Sequence, residues 1–174
     1  MTFEEFAAAR LPAVLRLAAV LAGDRATAED LAQEVLIRAH ARWDSIGSMD
    51  RPDMYVRKML VNEFLGWRRR SWRLVPAGSA REAADRAEPD HALRYAEREA
   101  LLADLGRLPR QQQAVLVLRY YEDCTDTEIA GLLGCSPGTV RGYASRALAT
   151  LRVARRPDIG PRPVGRTGRT EERF

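Results

Sequence analysis

Hydroxyl and guanidinium side chains cluster between positions 136 and 146, where they could hydrogen-bond to a polyanion. The stretch between Glu128 and Asp158 contains no acidic residue, so nothing in it would repel phosphate groups. The pattern indicates contact with nucleic acid. The candidate residues are Ser136, Thr139, Arg141, Ser145 and Arg146.

These side chains belong to a predicted helix-turn-helix. We expect a short helix over Asp126–Gly134, a turn at Gly134-Cys135, an N-cap at Ser136 and a second helix that opens with Pro137. Two short helices with a tight turn are the geometry that enters a DNA major groove. An apolar stripe should pack the second helix onto the protein, and it comprises Val140, Tyr143, Ala144, Ala147, Leu148 and Leu151.

Two alternatives stay open for this motif. It could be a helical hairpin that binds no DNA, and Arg141 could contact either a guanine edge or only a phosphate. A bidentate guanine contact would contribute about 1–3 kcal/mol of discrimination. Gly142 lies in mid-helix and costs about 1 kcal/mol against Ala, so we expect close approach of another backbone or of DNA there.

A second candidate surface lies on the predicted helix 27–43. Its apolar stripe comprises Ala28, Leu31, Ala32, Val35, Leu36, Ala39 and Trp43. Ile37 lies nearly opposite that stripe, on the side that carries Asp30, Gln33, Glu34 and Arg38. A large apolar residue among polar ones is typical of a partner surface, although a single exposed Ile is also common.

A third helix should begin at Pro52 and continue to about Trp72, with apolar residues on nearly all its faces. Such a helix is buried or has more than one working face. It ends in Trp67-Arg68-Arg69-Arg70 and, beyond Ser71, in Trp72-Arg73, a combination suited to single-stranded nucleic acid. The alternative is that the Trp side chains pack in the core and the Arg side chains are solvated.

The chain as a whole is predicted to be all-α. It has 174 residues, of which 46% are hydrophobic and only 7% aromatic, so its core should consist of Leu, Val and Ala. A first helix should cover 2–22, and a loop at 44–52 should connect the helix 27–43 to the third helix. We expect two small helical domains at 1–73 and 93–155, a linker at 74–92 and a disordered tail at 156–174.

The formal net charge of +4 modestly favours a polyanionic partner over solvated helix faces alone. Neither Cys124 nor Cys135 has metal-ligand spacing to a His, and no Gly-rich phosphate loop occurs. We therefore expect no metal, no cofactor and no enzymatic activity. Glu4 and Glu5 near the N-terminus and the lack of a long apolar run argue against a signal peptide or membrane span, which predicts a cytoplasmic protein.

Three blocks of sequence resemble one family. They are TAEDLAQEVLIRAHARW, PDMYVRKMLVNEFLGWRRR and LPRQQQAVLVLRYYEDCTDTEIAGLLGCSPGTVRGYASRALATLR. In order and spacing they are similar to an extracytoplasmic-function (group 4) sigma factor of the sigma-70 family. That resemblance implies a region 2 helical bundle and a region 4 helix-turn-helix, which bind core RNA polymerase and direct promoter recognition and opening.

The resemblance also implies site residues and partners. The helix 27–43 would dock the β′ subunit of core polymerase, with β as a further contact, and the 44–53 loop would hold a flipped-out base of the -10 element. An anti-sigma factor is a further partner that the family allows. The implied core-binding residues are Asp30, Gln33, Glu34, Ile37 and Arg38. The implied -10 residues are Asn62, Trp67, Arg68, Arg69 and Arg70. The implied -35 residues are Ser136, Thr139, Arg141, Ser145 and Arg146.

Gly142 and Tyr143 depart from the family's more usual polar or basic recognition-helix residues, which leaves the -35 sequence open. A helix-turn-helix regulator that acts without polymerase is the alternative. Such a regulator would need a sensory domain, and the N-terminal half lacks the βα alternation that would form one.

Overall fold

The computed structural model describes residues 1–71 and 89–154, with side chains described for 1–66 and 95–154. All regular elements in these ranges are helices, which confirms the all-α prediction. Most of the predicted linker and the whole predicted tail lie outside the described residues. The helices are α1 Phe3–Ala22, α2 Arg25–His40, α3 Trp43–Ile46, α4 Pro52–Ser71, α5 Pro89–Gly106, α6 Arg110–Tyr120, α7 Asp126–Leu133 and α8 Pro137–Ala154.

Local capping sets the ends of α1 and α2. Thr2 accepts a hydrogen bond from the backbone N–H of Glu5, whose carboxylate accepts one from the Thr2 N–H, so α1 begins with a capping box. Gly23 ends α1 with φ of 80°, a left-handed conformation that costs glycine little. Asp24 caps α2 by accepting a hydrogen bond from the Thr27 N–H at 2.8 Å, so α2 begins at Arg25, two residues before the predicted start at 27.

The predicted loop at 44–52 contains an element that the sequence did not suggest. Trp43 belongs not to α2 but to the short helix α3, which continues to Ile46. Its indole packs on Phe3 and Phe6, with ring centroids 5.4 and 4.7 Å apart. A Cβ on Gly47 would come within 2.8 Å of the Trp43 indole nitrogen, so the turn after α3 needs a glycine.

Two explanations were open for the apolar faces of α4, burial and more than one working face, and the described side chains favour burial. Val56, Leu60, Val61 and Phe64 are buried. The helix packs against α1 and α2 on one side and against α6 and α7 on the other. It therefore contacts helices of both the N-terminal and the C-terminal half, as α1 also does through its contact with α6.

The C-terminal helices form the predicted helix-turn-helix with α6 as the packing partner. The α6 residues 114–118 are all buried. Gly134 ends α7 with φ of 67°, and Pro137 opens α8. Val140, Ala144 and Ala147 form the buried part of the predicted α8 stripe. The helix α5 begins at Pro89, inside the segment 74–92 that was predicted as a linker.

Candidate nucleic-acid interface and partner surface

The N-terminus of α8 is held in place by the predicted cap. Ser136 Oγ accepts a hydrogen bond from the Thr139 N–H at 3.1 Å and lies 3.0 Å from Thr139 Oγ1. Ser136 and Ser145 are exposed, and Thr139 is half-buried. The start of α8 thus presents hydroxyl groups beside its free backbone N–H groups, an arrangement that favours hydrogen bonding to an anion.

Arg141 lies two residues after Thr139 on α8, and its side chain is 66% exposed. Its Nη1 lies 3.8 Å from Asp126 Oδ2 in the first turn of α7. The other Asp126 oxygen accepts a hydrogen bond from Arg119 of α6. One carboxylate therefore connects the three helices of the motif and biases the direction of the Arg141 guanidinium.

Arg146 is exposed one turn further along α8. Its guanidinium lies over the Tyr143 ring, 5.3 Å from the centroid, a cation–π arrangement. Tyr143 therefore helps to orient Arg146. From the sequence, Tyr143 was only a departure from the polar or basic residues usual in the family, and this contact was not predicted.

The sequence offered two compensations for Gly142, close approach of another backbone or of DNA, and no other protein backbone lies among the nearest atoms in the described residues. A Cβ added there would meet only the guanidinium of Arg146, at 3.7 Å, which is ordinary contact with the mobile end of a side chain. No packing within the described residues requires glycine, so only DNA remains of the two compensations expected from the sequence.

The polar face of α2 has the exposure that its pattern predicts. Ile37 is 58% exposed, and Asp30, Gln33 and Glu34 are exposed around it. The opposite stripe is buried from Ala28 to Ala39 except for Leu36, which is half-buried. The apolar side chain of Ile37 is consequently available to a partner.

Arg38 differs from its neighbours because it is engaged within the protein. Its Nε donates to Glu34 at 2.9 Å, and its Nη2 donates to Glu63 of α4. Glu63 is only 6% exposed. The hydrogen bond to Glu63 raises the pKa of Arg38 above its ordinary value. This side chain joins α2 to α4 as well as bordering the candidate surface.

An open apolar groove of about 570 Å³ adjoins Ile37 between α1 and α2. Leu11 and Leu15 of α1 line one wall, and Leu36 and Ile37 of α2 line the other. Sequence reasoning missed the α1 wall. The i, i+4 spacing of Leu11 and Leu15 was the available signal, but a stripe on one helix does not reveal that it borders a groove.

The predicted -10 residues lie along α4. Asn62 is exposed. The backbone of Trp67, Arg68, Arg69 and Arg70 continues the helix to Ser71, but these side chains, with Trp72 and Arg73, lie outside the described residues. The Asp44–Asp53 loop is mostly exposed after α3, and Ser48 Oγ donates to the Ser45 carbonyl at 2.9 Å.

None of the helices in the described ranges combines the length and apolar character needed to cross a membrane. Within the described residues, the fold and the α7–α8 geometry define the class as a helical protein with a helix-turn-helix of the type that binds DNA, and with a second helical unit that exposes the apolar side chain of Ile37.

Comparison with known proteins is specific. Residues 6–74 match Sigma-70 region 2, and residues 98–151 match Sigma-70 region 4. The RNA polymerase sigma-E factor of Streptomyces coelicolor is 38% identical over 175 residues, which cover 97% of this chain and 95% of that protein. The ECF RNA polymerase sigma factor SigL of Mycobacterium tuberculosis is 31% identical over 79% of this chain and 80% of its own.

A solved structure agrees. The sigma factor RpoE in complex with the anti-sigma factor NepR from Bartonella quintana superposes with a TM-score of 0.64 at 25% identity, over 87% of this chain and 94% of that one. The chain belongs to the extracytoplasmic-function sigma factors of the sigma-70 family. It binds core RNA polymerase and directs promoter recognition for transcription initiation.

Proposed function

We propose that this sigma factor holds core polymerase with the exposed face of α2 and holds the promoter at two points, with α4 at the -10 element and α8 at the -35 element. The observation that supports this proposal most directly is the exposure of Ile37, whose side chain is 58% exposed among polar side chains. A DNA-binding regulator without a polymerase partner has no need for such a residue on its N-terminal unit.

The polymerase contact is proposed to centre on Ile37, with Asp30, Gln33 and Glu34 as its polar surround. This arrangement matches the usual anatomy of an interface, in which an apolar anchor is ringed by polar groups that exclude water. The groove lined by Leu11, Leu15 and Leu36 extends the apolar area and suits one helix of the β′ coiled coil. Arg38 is proposed to contribute by holding α2 against α4 and by contacting the edge of the partner.

The -10 contact is proposed to use Asn62, Trp67 and Arg68–Arg70 together with the 44–53 loop. Asn62 is on the exposed side of α4, and the Arg run follows on the same helix. Indole and guanidinium groups bind separated strands by stacking on bases and pairing with phosphates, at roughly 1–3 kcal/mol per stacked base. This chemistry suits a promoter that must be opened.

The -35 contact is proposed to use Ser136, Thr139, Arg141, Ser145 and Arg146. The capped N-terminus of α8 would approach a phosphate, and Arg141 would reach into the major groove. Arg146, stacked on Tyr143, would contact the flanking backbone.

We further propose an anti-sigma factor as a regulatory partner, on the ground that RpoE, the similar solved sigma factor, is bound to NepR. The domain limits 1–73, 74–92 and 93–155, a cytoplasmic location and the lack of a catalytic reaction of its own complete the proposal. Function as an initiation factor requires no bond chemistry from this chain, since the polymerase supplies it.

Run-off transcription with purified core polymerase and promoter fragments tests this assignment. We expect transcripts from a subset of fragments only when the protein is added, and we expect Ile37→Asp to abolish them while duplex binding by α8 persists. Duplex binding without any association with core polymerase would instead support the alternative, a helix-turn-helix regulator that acts without polymerase. Heat-treated protein and a housekeeping promoter are the matched controls.

A further inference from the structure

The 44–53 loop, which is proposed to hold a base of the -10 element, begins with a helix that is too short to be stable alone. The helix α3 comprises only Trp43–Ile46, and its N-cap Arg42 makes no side-chain hydrogen bond to it. One turn of helix is unfavourable in water because its formation fixes several backbone angles for a single hydrogen bond. Tertiary contacts must therefore hold α3, and with it the start of the loop.

Trp43 connects α3 to the beginning of α1. Its indole lies against the rings of Phe3 and Phe6, with centroids 5.4 and 4.7 Å away. Its Nε1 donates a hydrogen bond to the Met1 carbonyl at 3.1 Å. At the other end of α3, Ile46 is only 1% exposed. Both ends of this short helix are therefore anchored in the protein.

The glycine that follows α3 leaves room for the indole. Gly47 has φ of −67°, a helical value that other residues also adopt, so its backbone conformation does not require glycine. A Cβ there would lie 2.8 Å from Trp43 Nε1 and 3.0 Å from both Cε2 and the carbonyl oxygen of Trp43. The lack of a side chain at Gly47 is thus matched to the presence of the Trp43 indole.

The exposed part of the loop is built directly on α3. Residues 48–51 all expose their side chains, so they are available to a base. Three hydrogen bonds return from residues 47–49 to α3: the Gly47 N–H donates to the Trp43 carbonyl at 2.7 Å, the Met49 N–H donates to the Ile46 carbonyl at 3.1 Å, and Ser48 Oγ donates to the Ser45 carbonyl at 2.9 Å. A displacement of α3 would therefore move the exposed side chains with it.

We propose that Trp43 and Gly47 are positioning residues for recognition of the -10 element. Trp43 is half-buried and Gly47 has no side chain, so both act through the loop rather than by contacting the base. They fix α3 so that residues 48–51 meet the flipped-out base in one arrangement, and a preorganised loop loses less conformational entropy on binding. The inference rests on the proposed function, in which the 44–53 loop holds that base.

The order of the loop can be measured in the free protein, without polymerase or DNA. Trp43→Phe keeps an aromatic ring near Phe3 and Phe6 but removes the Nε1 donor, and Gly47→Ala places a methyl group against the indole. Each change should speed amide hydrogen exchange in peptides that cover 44–53 by about three- to tenfold, the factor that one net hydrogen bond contributes. Peptides from the middle of α1 and α2 should exchange at the rates of the parent protein.

A double-mutant cycle tests whether Gly47 acts through Trp43. Gly47→Ala should have a smaller effect in the Trp43→Phe background than in the parent, because the Nε1 atom that the methyl group would displace is then absent. Gly106→Ala is the matched glycine control, since a Cβ at Gly106 meets no atom within 4 Å. Additive effects would overturn the pairing of Gly47 with Trp43, and parent rates of exchange in both single variants would overturn the proposal as a whole.

The recognition experiment uses holoenzyme assembled from the full chain and core polymerase. The probes are single-stranded oligonucleotides that span the -10 element, with every single-base substitution in turn. Trp43→Phe should reduce the ratio of affinities for the preferred and the disfavoured base about three- to tenfold, while core binding and binding of the -35 duplex stay at parent values. Leu17→Val, a change at a buried position in α1, is the control: it should lower stability and leave this ratio unchanged.

The outcomes separate this inference from the proposed function. A parent holoenzyme without any base preference in the -10 strand would refute the proposed role of the 44–53 loop, and the exchange measurements would still decide whether Trp43 holds that loop in place. A parent that discriminates between bases, together with a Trp43→Phe variant that discriminates equally well, would overturn the positioning role.

Discussion

Arg141 of the recognition helix and Asp126 of the preceding helix face each other, with Nη1 and Oδ2 3.8 Å apart. Because Asp126 also accepts from Arg119, the carboxylate is fixed by the packed part of the motif. Arg141 is therefore oriented by the fold while most of its surface stays open to DNA.

We expect Arg141→Ala to weaken binding of the -35 element. If Arg141 reads a guanine, the loss should be about 1–3 kcal/mol and should vanish when that base pair is replaced. If it contacts a phosphate, the loss should be the same for all sequences. The slope of the logarithm of the affinity against the logarithm of the salt concentration should then become less steep by about one. Fluorescence anisotropy with a set of -35 duplexes distinguishes the two.

Asp126→Asn is the companion variant, and Arg152→Ala, on the last turn of α8, is the control. Asp126→Asn should reduce discrimination between duplexes more than it reduces mean affinity, since the guanidinium remains but loses its orientation. Equal losses on every duplex would show that Asp126 acts only through the stability of the fold.

Ile37→Asp should abolish core binding without unfolding the protein. The side chain is 58% exposed, so an Asp is solvated in the free protein but buried as an unpaired charge in the complex. Loss of an anchor of this kind costs about 2 kcal/mol or more of binding free energy. Pull-down with core polymerase and circular dichroism provide the measurements, and Val153→Asp on α8 provides an exposed apolar control. Full core binding by the variant would remove Ile37 from the interface.

Arg38→Met should act on stability rather than only on binding. The change deprives Glu63 of a hydrogen bond at a buried position, which costs about 1–3 kcal/mol. Urea unfolding should show the loss, and combining Arg38→Met with Glu63→Gln should cost less than the sum of the single changes. Additive losses would mean that the pair contributes nothing as a pair.

Gly142→Ala should stabilise the free protein. A Cβ there meets only the end of Arg146 at 3.7 Å, and Ala is favoured over Gly in mid-helix by about 1 kcal/mol. Thermal unfolding should show a higher midpoint. If DNA passes close to α8 at this point, the same variant should bind the -35 duplex more weakly, whereas unchanged binding would indicate that DNA does not approach Gly142.

The start of α7 should make stability depend on pH in the acid range. Thr125 donates its backbone N–H to Glu128 Oε2 at 2.8 Å, which lowers the pKa of Glu128 below its ordinary value of 4.5. A lowered carboxyl pKa contributes stability above the unfolded-state value and loses it as pH falls through the folded-state value. Glu128→Gln should therefore flatten the pH dependence of unfolding below about pH 4.5, and a curve as steep as that of the parent would exclude this contribution.

Much of this protein follows from local sequence. Thr125 and Glu128 form a capping box at the start of α7, as Thr2 and Glu5 do at the start of α1. These boxes, the glycines that end α1 and α7, and the Ser136–Pro137 start of α8 use interactions within three or four residues, so they can be recognised without tertiary context. The exposure of Ile37 also follows, because it needs only the helical period.

Only the tertiary structure shows which residues far apart in the sequence form a hydrogen bond or an ion pair with each other. Arg38 lies on the polar side of its helix, where the periodicity predicts a solvent-exposed side chain. It nevertheless donates a hydrogen bond to Glu63, 25 positions away in the sequence. Arg57 lies next to Lys58 in the sequence, and nothing local indicates that it pairs with Glu122 and Cys124. Such pairings depend on which helix faces lie within a few ångström of each other. The periodicity of the sequence shows which face of a helix is apolar, but it does not show which face of another helix packs against it. The sequence therefore determined the long helices, the motif and the family, whereas the packing of α4 against helices of both units decided which charges remain available to polymerase and DNA.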